Sequence, residues 1–566
     1  MNVVFCLTAL FLLFSSQAFA GYGANAQQTV AVSHTCYEVF VYSFYDSNGD
    51  GIGDLEGVIR NLDYICGQGA DGSSVERAGE ADENLFSGLG CDMIWLMPVF
   101  PSPTYHKYDV TDYLGIDSQY GSLEDMDRLI DACHERGVRL ILDLPVNHTS
   151  TEHPWFKAAA DYLSSLEDGK EPDSAVCPFV DYYCFSREAK DGYAPLPGAD
   201  WFYEARFWEG MPDLNLDSDS VRGELAAILA FWQEQGIDGF RLDAVTSYYT
   251  GNREKCISFV EWLTQTAKDH DPDCYLVGEA WTDRDTYLQY YESGIDSMFD
   301  FSFAGQEGVI AAVARGNKPA SWYTQKMEEE EELIGAYADR AVNAPFYTNH
   351  DMARSAGYYS GGDGGARTKF ALSLNLLMPG NAFLYYGEEL GMSGSGKDEN
   401  KRAPMYWTAD SDAEGMCSGP PEMDKVRMLY PALDRQKEDP SSILSCVRDV
   451  IALRRQYPAI AAGQTAEVSE LTGKEMCAFV RIMPGERAVL VVVNASAHVQ
   501  TADLSLLSED TPARAAMAGA VADSLDTLTL TLTPYAIAVI GEGDEGWTMI
   551  NDGCEINEKK ASRRRK

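Results

Sequence analysis

The chain has 566 residues, with 44 Lys and Arg against 88 Asp and Glu, for a formal net charge of −44. Its 45% hydrophobic and 11% aromatic content can bury a sizeable core, which excludes an intrinsically disordered chain, and the length suits two or three domains. So acidic a balance repels polyanions and excludes a nucleic-acid-binding body.

In chain order, the first feature is an almost wholly apolar run from Val3 to Phe14, followed by Ala18-Phe19-Ala20 before Gly21. The run is too short to span a bilayer. It fits the core of a signal peptide over residues 1–20, so a secreted or extracytoplasmic protein with no transmembrane segment is expected. Removing Cys6 would leave an even number of cysteines, which permits disulfides, and Cys177 with Cys184 is the most plausible local pair. No Cys or His spacing matches a zinc site.

Asp46-Ser47-Asn48-Gly49-Asp50-Gly51-Ile52-Gly53-Asp54 sets oxygen ligands at alternate positions with glycines between them, a spacing that can wrap a hard cation. It lacks the closing Glu of an EF-hand. From Cys36 onward, apolar β-rich runs alternate with amphipathic stretches. The candidate strands are Tyr37–Phe44, Asp92–Met97, Val138–Leu144, Asp238–Leu242, Cys274–Gly278, Asp296–Phe301, Ala344–Asn349 and Ala382–Tyr386. Ser122–Arg136 reads as a helix with a Ser122/Asp125 capping box and an apolar face of Leu123, Met126, Leu129, Ile130 and Cys133.

Eight such units predict an α/β fold, a (β/α)8 TIM barrel over 36–148 and 218–460, with a doubly wound open sheet as the alternative. Residues 149–217, rich in Asp, Pro, Tyr and Trp, read as a subdomain inserted after the third strand. A helix over Val221–Gln233 then resumes the barrel. The acidic run Glu328–Glu332 reads as a solvated helical face. After Gly463, the runs Cys477–Ile482, Ala488–Asn494 and Leu528–Thr533 predict an antiparallel β domain over 463–541. Residues 542–566 read as a disordered tail that ends in six cations among eight residues.

Barrel chemistry sits where strands end. Asp143 and His148 lie at the third strand's end, Arg241 and Asp243 at the fourth, Glu279 at the fifth, and His350 with Asp351 at the seventh. Any one of these could be a helix cap or turn residue. Together they form a carboxylate cluster suited to glycosidic cleavage, in which one carboxyl protonates the leaving oxygen and another attacks the anomeric carbon. A carboxylate-metal hydrolase is the competing reading. Arg241 and Asp243 are two residues apart on one strand, so their side chains share a face and can pair.

Those four segments resemble, in order and position, the main signatures of the α-amylase family, glycoside hydrolase family 13. Met211-Pro212-Asp213-Leu214-Asn215 looks like its fifth signature, and the pattern falls between the oligo-1,6-glucosidase and neopullulanase groups. The resemblance implies that Asp243 is the nucleophile, Glu279 the general acid/base and Asp351 the transition-state-stabilising carboxylate. Tyr108, His148, Arg241 and His350 would line the subsite of the attacked sugar, and Arg402 resembles the end-gripping Arg of exo-acting members. It also implies calcium in the first loop, held by Asp46, Asn48, Asp50, the carbonyl of Ile52 and Asp54. The expected activity is that of a monomeric, secreted, retaining α-amylase that cuts α-1,4 bonds inside starch, glycogen and maltooligosaccharides. An exo-acting α-glucosidase or oligo-1,6-glucosidase, a glucan transferase and a non-catalytic binding subunit are the alternatives.

Overall fold

In the computed structural model the described residues are 34–67, 88–167, 169–338, 340–507, 528–541, 548–550 and 554–558. The expected signal peptide and the cationic end of the chain lie outside them. Eight parallel strands build the main body: β1 (Thr35–Val39), β2 (Met93–Leu96), β3 (Arg139–Leu144), β4 (Gly239–Leu242), β5 (Tyr275–Gly278), β6 (Ser297–Phe299), β7 (Val342–Ala344) and β8 (Ala382–Tyr385). Their order is β7-β6-β5-β4-β3-β2-β1-β8. The ring closes between β7 and β8 through a parallel bridge from Phe346 to Phe383 and the bond from the Phe383 amide to the Pro345 carbonyl, 2.8 Å.

The strands read as apolar runs because both of their faces are covered. Cys36, Met93, Trp95, Ile141, Val277, Phe299 and Phe383 point inward and fill the barrel. Their neighbours Tyr37, Ile94, Leu140 and Leu276 point outward into the larger core beneath the helices. The helix Leu123–His134 carries the Ser122/Asp125 capping box and buries Met126, Leu129, Ile130 and Cys133, whereas Leu123 is exposed. The seventh strand ends earlier than the sequence suggests. Pro345 has no N–H to continue the ladder, so Asn349 to Asp351 sit on a loop above the strand.

Between β3 and β4 the chain leaves the barrel. It forms a helix, Pro154–Ser165, and a three-stranded sheet of Phe185–Ser186, Tyr193–Pro195 and Phe202–Glu204. The helix was not legible as such, yet Pro154 at its first turn, the His153 cap and buried Phe156, Ala159 and Leu163 explain it. Cys177 and Cys184 are not bridged: both keep their thiols.

Beyond Gly463 two antiparallel sheets pack face to face. One runs Gln464–Glu467, Met476–Ile482, Val489–Asn494, Ile537–Gly541, Thr548–Ile550, and the other Gln500–Asp503, Leu528–Leu532, Cys554–Glu558. The last strand of each corrects the expectation of a disordered tail after 541, because both pair in register with their neighbours. Val489–Asn494 alternates, with Leu490 and Val492 in the sandwich and Val489, Val491 and Val493 against the barrel core.

The acidic run Glu328–Glu332 is likewise not a solvated face. It lies on the helix Ser321–Tyr337, which the β domain covers. Glu328 accepts the Glu467 amide at 2.6 Å, and Glu330 is buried and accepts the Tyr287 hydroxyl. Glu331 takes the Thr465 amide at 2.9 Å and Arg481 Nη1 at 2.5 Å, and only Glu332 is exposed. Donors from the second domain hold Glu328 and Glu331, while Tyr287 holds Glu330 and Arg284 and Lys326 hold Glu329, and together they make a block of like charge tolerable here. Replacing the fully buried Arg481 by Met leaves the Glu331 carboxylate unpaired and should cost about 2–4 kcal/mol in denaturant unfolding, whereas Glu332→Gln should stay within about 0.5 kcal/mol.

Candidate active site

At the C-terminal rim, the residue that organises the site is Arg241, on β4 and fully buried. Its Nη1 contacts Asp143 Oδ1 and Oδ2 at 2.8 and 3.0 Å and Asp243 Oδ1 at 2.5 Å. Its Nη2 lies 2.9 Å from Glu279 Oε2. The guanidinium is planar and keeps its charge, so it sets three carboxylates from three strands in one plane of reference. Trp95 forms a floor beneath it, with the guanidinium carbon 5.1 Å from the ring centroid.

Asp243 and Glu279 each stand one residue past a strand end, where the side chain clears the barrel layer. The turn after Asp243 is tight. Ala244 takes φ 44, a left-handed conformation unusual for a residue with a Cβ, and its amide donates to Glu279 Oε2 at 3.2 Å. Burial pushes the Glu279 carboxyl up, and the nearby Asp243 and Asp351 add to this against the pull of Arg241. Glu279 is thus a carboxyl that keeps its proton above the ordinary carboxylate range.

On the opposite wall, His350 Nε2 lies 3.2 Å from Asp351 Oδ2 and 2.8 Å from the Tyr108 hydroxyl, which itself donates to Asp143 Oδ2 at 2.9 Å. His350 Nδ1 meets Glu38 Oε1 at 2.6 Å. Burial works against a charged imidazole, but Asp351 and Glu38 overcome it and raise His350 to about 10. Arg402 donates Nη2 to Asp351 Oδ1 at 2.7 Å and Nη1 to the Tyr105 hydroxyl at 3.2 Å. Burial alone would raise Asp351, yet His350 and Arg402 hold it well below the usual carboxylate range.

His148 differs from His350. It is buried, burial holds it below the ordinary histidine value, and neither ring nitrogen has a partner. A neutral imidazole with two unused polar atoms at the mouth of the site is ready for a hydroxyl-rich ligand. Phe207 from the insertion packs 5.2 Å from it.

The eight residues expected at this site, Tyr108, His148, Arg241, Asp243, Glu279, His350, Asp351 and Arg402, therefore gather at the C-terminal rim of the barrel. Two contributors were not foreseen. Glu38 is the lone acid in the buried strand β1, an anomaly that the sequence does display. Tyr105 reaches Arg402 from the loop after β2.

The loop expected to take calcium curls on itself, with Gly49 and Gly51 at φ 86 and 90. Asp46 accepts the amides of Asn48, Gly49 and Gly51, Asn48 accepts that of Asp50, and Asp50 accepts that of Ile52. Asp54 caps the helix Leu55–Arg60 and takes Ser47. Among the described residues, no three His, Cys, Asp or Glu side chains gather at metal-holding spacing. The donor chemistry of the loop, all hard oxygen, is nonetheless of the type calcium takes.

A (β/α)8 barrel with an acidic cluster around one arginine at its C-terminal rim is an arrangement suited to glycoside hydrolysis. Residues 84–463 match the family "Alpha amylase, catalytic domain". Alpha-amylase 3 of Dictyoglomus thermophilum is 36% identical over 434 residues, covering 76% of this chain and 79% of that protein. The trehalose synthase/amylase TreS of Mycobacterium tuberculosis is 30% identical, over 83% of this chain and 82% of its own. The solved structure of Eubacterium rectale Amy13B superposes with a TM-score of 0.81 at 45% identity, covering 91% of this chain and 96% of that one. The chain belongs to the α-amylase family, glycoside hydrolase family 13, whose members cleave with retention.

The raised value of His350 has a stability consequence. The charged ring contributes fully below its unfolded value near 6.5, and the contribution is lost as pH climbs through about 10. The melting-temperature advantage of the wild type over His350→Asn should be largest at pH 6 and shrink steadily towards pH 10; an advantage that grows with pH contradicts the assignment.

Proposed function

We propose that the chain is an exported, monomeric, endo-acting α-amylase that hydrolyses α-1,4 bonds within starch-like glucans and maltooligosaccharides. The observation that carries this reading is the Arg241-held set of carboxylates below a rim that displays exposed aromatics. Trp281, two residues past Glu279, is 55% exposed, and Phe207 and Trp208 on the insertion are each 50% exposed. Such faces offer stacking platforms beyond a single sugar and suit a chain that runs through the site. Tyr105 also supports endo action. Exo-glucosidases place an Asp there; this chain offers Arg402 a neutral phenol in place of a carboxylate clamp for a chain end.

In this reading Asp243 attacks the anomeric carbon while Glu279 gives its proton to the leaving glycosidic oxygen. The C–O bond to the leaving chain breaks as the ester to Asp243 forms. Glu279, now ionised, takes a proton from water, which displaces Asp243 and restores the α configuration. Asp351, fixed by His350 and Arg402, faces the positive charge that develops at the ring, and His148 and His350 hold its hydroxyls. Asp243→Asn and Glu279→Gln should each lose about three orders of magnitude or more in kcat without loss of the fold. NMR of fresh digests should show the α-anomer first, and starch viscosity should collapse before reducing ends accumulate. Glucose as the sole early product overturns the endo reading. The TreS relative favours a second reading, glucosyl transfer, which would show as trehalose formed from maltose.

We also propose that the loop Asp46–Asp54 holds calcium through Asp46, Asn48, Asp50, the Ile52 carbonyl and Asp54, whose oxygens would turn from the loop amides to the ion. Chelation should lower the melting temperature of calcium-loaded protein, and Asp50→Ala should abolish that sensitivity; an unchanged melt counts against the site.

A further inference from the structure

A cleft of about 340 Å³ lies between the segment that follows Asp351 and the excursion after β8. It is walled by residues that follow Asp351, including Arg354 and Tyr358, and by the excursion after β8, which brings Ser393, Asn400, Lys425 and Arg427. Its charge is unusual for this chain. In a protein of net charge −44, three cations line one small cleft, and Arg315 backs its Tyr358 wall with the guanidinium 5.6 Å from the ring.

Two of the three lining cations, Lys425 and Arg427, are not neutralised. Lys425 and Arg427 meet no carboxylate among the described residues, and Arg315 spends its donors on the carbonyls of Gln306 and Tyr358. Arg354 is fully buried. It gives Nε to the Lys401 carbonyl at 2.9 Å and Nη1 to the Tyr386 carbonyl at 2.7 Å, lies 3.5 Å from Glu388, and leaves Nη2 without a partner. The one acid in the lining, Asp424, is already held by Lys397 at 3.0 Å and by Asn400 at 3.0 Å. A cleft that sets two unpaired cations around a buried guanidinium with one unused arm, in an acidic protein, suits an anion, and a neutral sugar would leave those charges unanswered.

We propose that this cleft binds a phosphate group, carried by a sugar or free in solution. A phosphate dianion offers several acceptor oxygens to Arg427 and Lys425, with the buried Arg354 behind them, and the Ser393 and Gln306 side chains at the edge suit hydroxyls of an attached sugar. The volume accommodates a hexose phosphate. The walls continue from the segments that carry Asp351 and Arg402, but no residue of the candidate active site lines the cleft. The proposal stands apart from the glucan-hydrolase reading, since it concerns binding alone.

The test is calorimetric titration of the full chain with inorganic phosphate, glucose 6-phosphate and maltose, repeated on Lys425→Gln/Arg427→Gln. These two exposed positions carry no packing role, and the variant should match wild type in melting temperature and in kcat on a short maltooligosaccharide. The expected result is saturable binding of a phosphate ligand, weakened by salt and at least about tenfold weaker in the variant. Tighter binding of glucose 6-phosphate identifies a sugar phosphate as the ligand; equal binding identifies free phosphate. No saturation by either phosphate, equal affinity in wild type and variant, or a response to maltose alone overturns the proposal.

Discussion

The arrangement of the site depends on one buried cation. Arg241 is fully enclosed in the barrel, where an unpaired guanidinium would be intolerable, and it is made tolerable by contacts to Asp143, Asp243 and Glu279. The dependence is mutual. Without the arginine, three buried carboxylates from β3, β4 and β5 would repel one another; without the carboxylates, the arginine could not be buried. The pairings are weak evidence for stability, since desolvation consumes most of the attraction, but they are strong determinants of position.

Around this centre the wall opposite Glu279 repeats the principle with different chemistry. His350 is charged because Glu38 and Asp351 lie on either side of it, and Asp351 is ionised because His350 and Arg402 do the same for it. Glu279 feels burial and the like charge of Asp243 and Asp351 against the pull of Arg241, and its carboxyl is held up; Asp143, buried beside Asp243, is likewise raised, to about 7. The proposed role of Glu279 as the acid therefore rests on burial and like charge outweighing the one cation beside it. The closed ring of parallel strands supplies the rigidity this needs, since the strand ends cannot drift apart.

Much of this was legible in the chain. Strands buried on both faces appear as apolar runs, and strand-end polar residues in a barrel must share one rim, so Asp143, Asp243, Glu279 and Asp351 could be brought together before any coordinates. What was not legible depended on partners distant in sequence. Glu328 and Glu331 read as solvated because nothing local shows that Thr465, Glu467 and Arg481 will cover them, and Glu330 because its partner Tyr287 lies 43 residues away. Glu38 was passed over because its partner, His350, lies 312 residues away. The strands Thr548–Ile550 and Cys554–Glu558 are short and polar, and only pairing with Ile537–Gly541 and Leu528–Leu532 makes them strands. Cys177 and Cys184, close in sequence, are not joined in space.

The central claim is that a planar, two-armed cation, and not merely a positive charge, sets the geometry of the carboxylates. The most direct measurement is kcat of Arg241→Lys on a maltooligosaccharide, with folding checked by circular dichroism. Lysine keeps the charge but reaches the three carboxylates from a single point. The account predicts a folded protein whose kcat falls by about a hundredfold or more while KM changes little. A folded Arg241→Lys enzyme that turns over at close to the wild-type rate would contradict it.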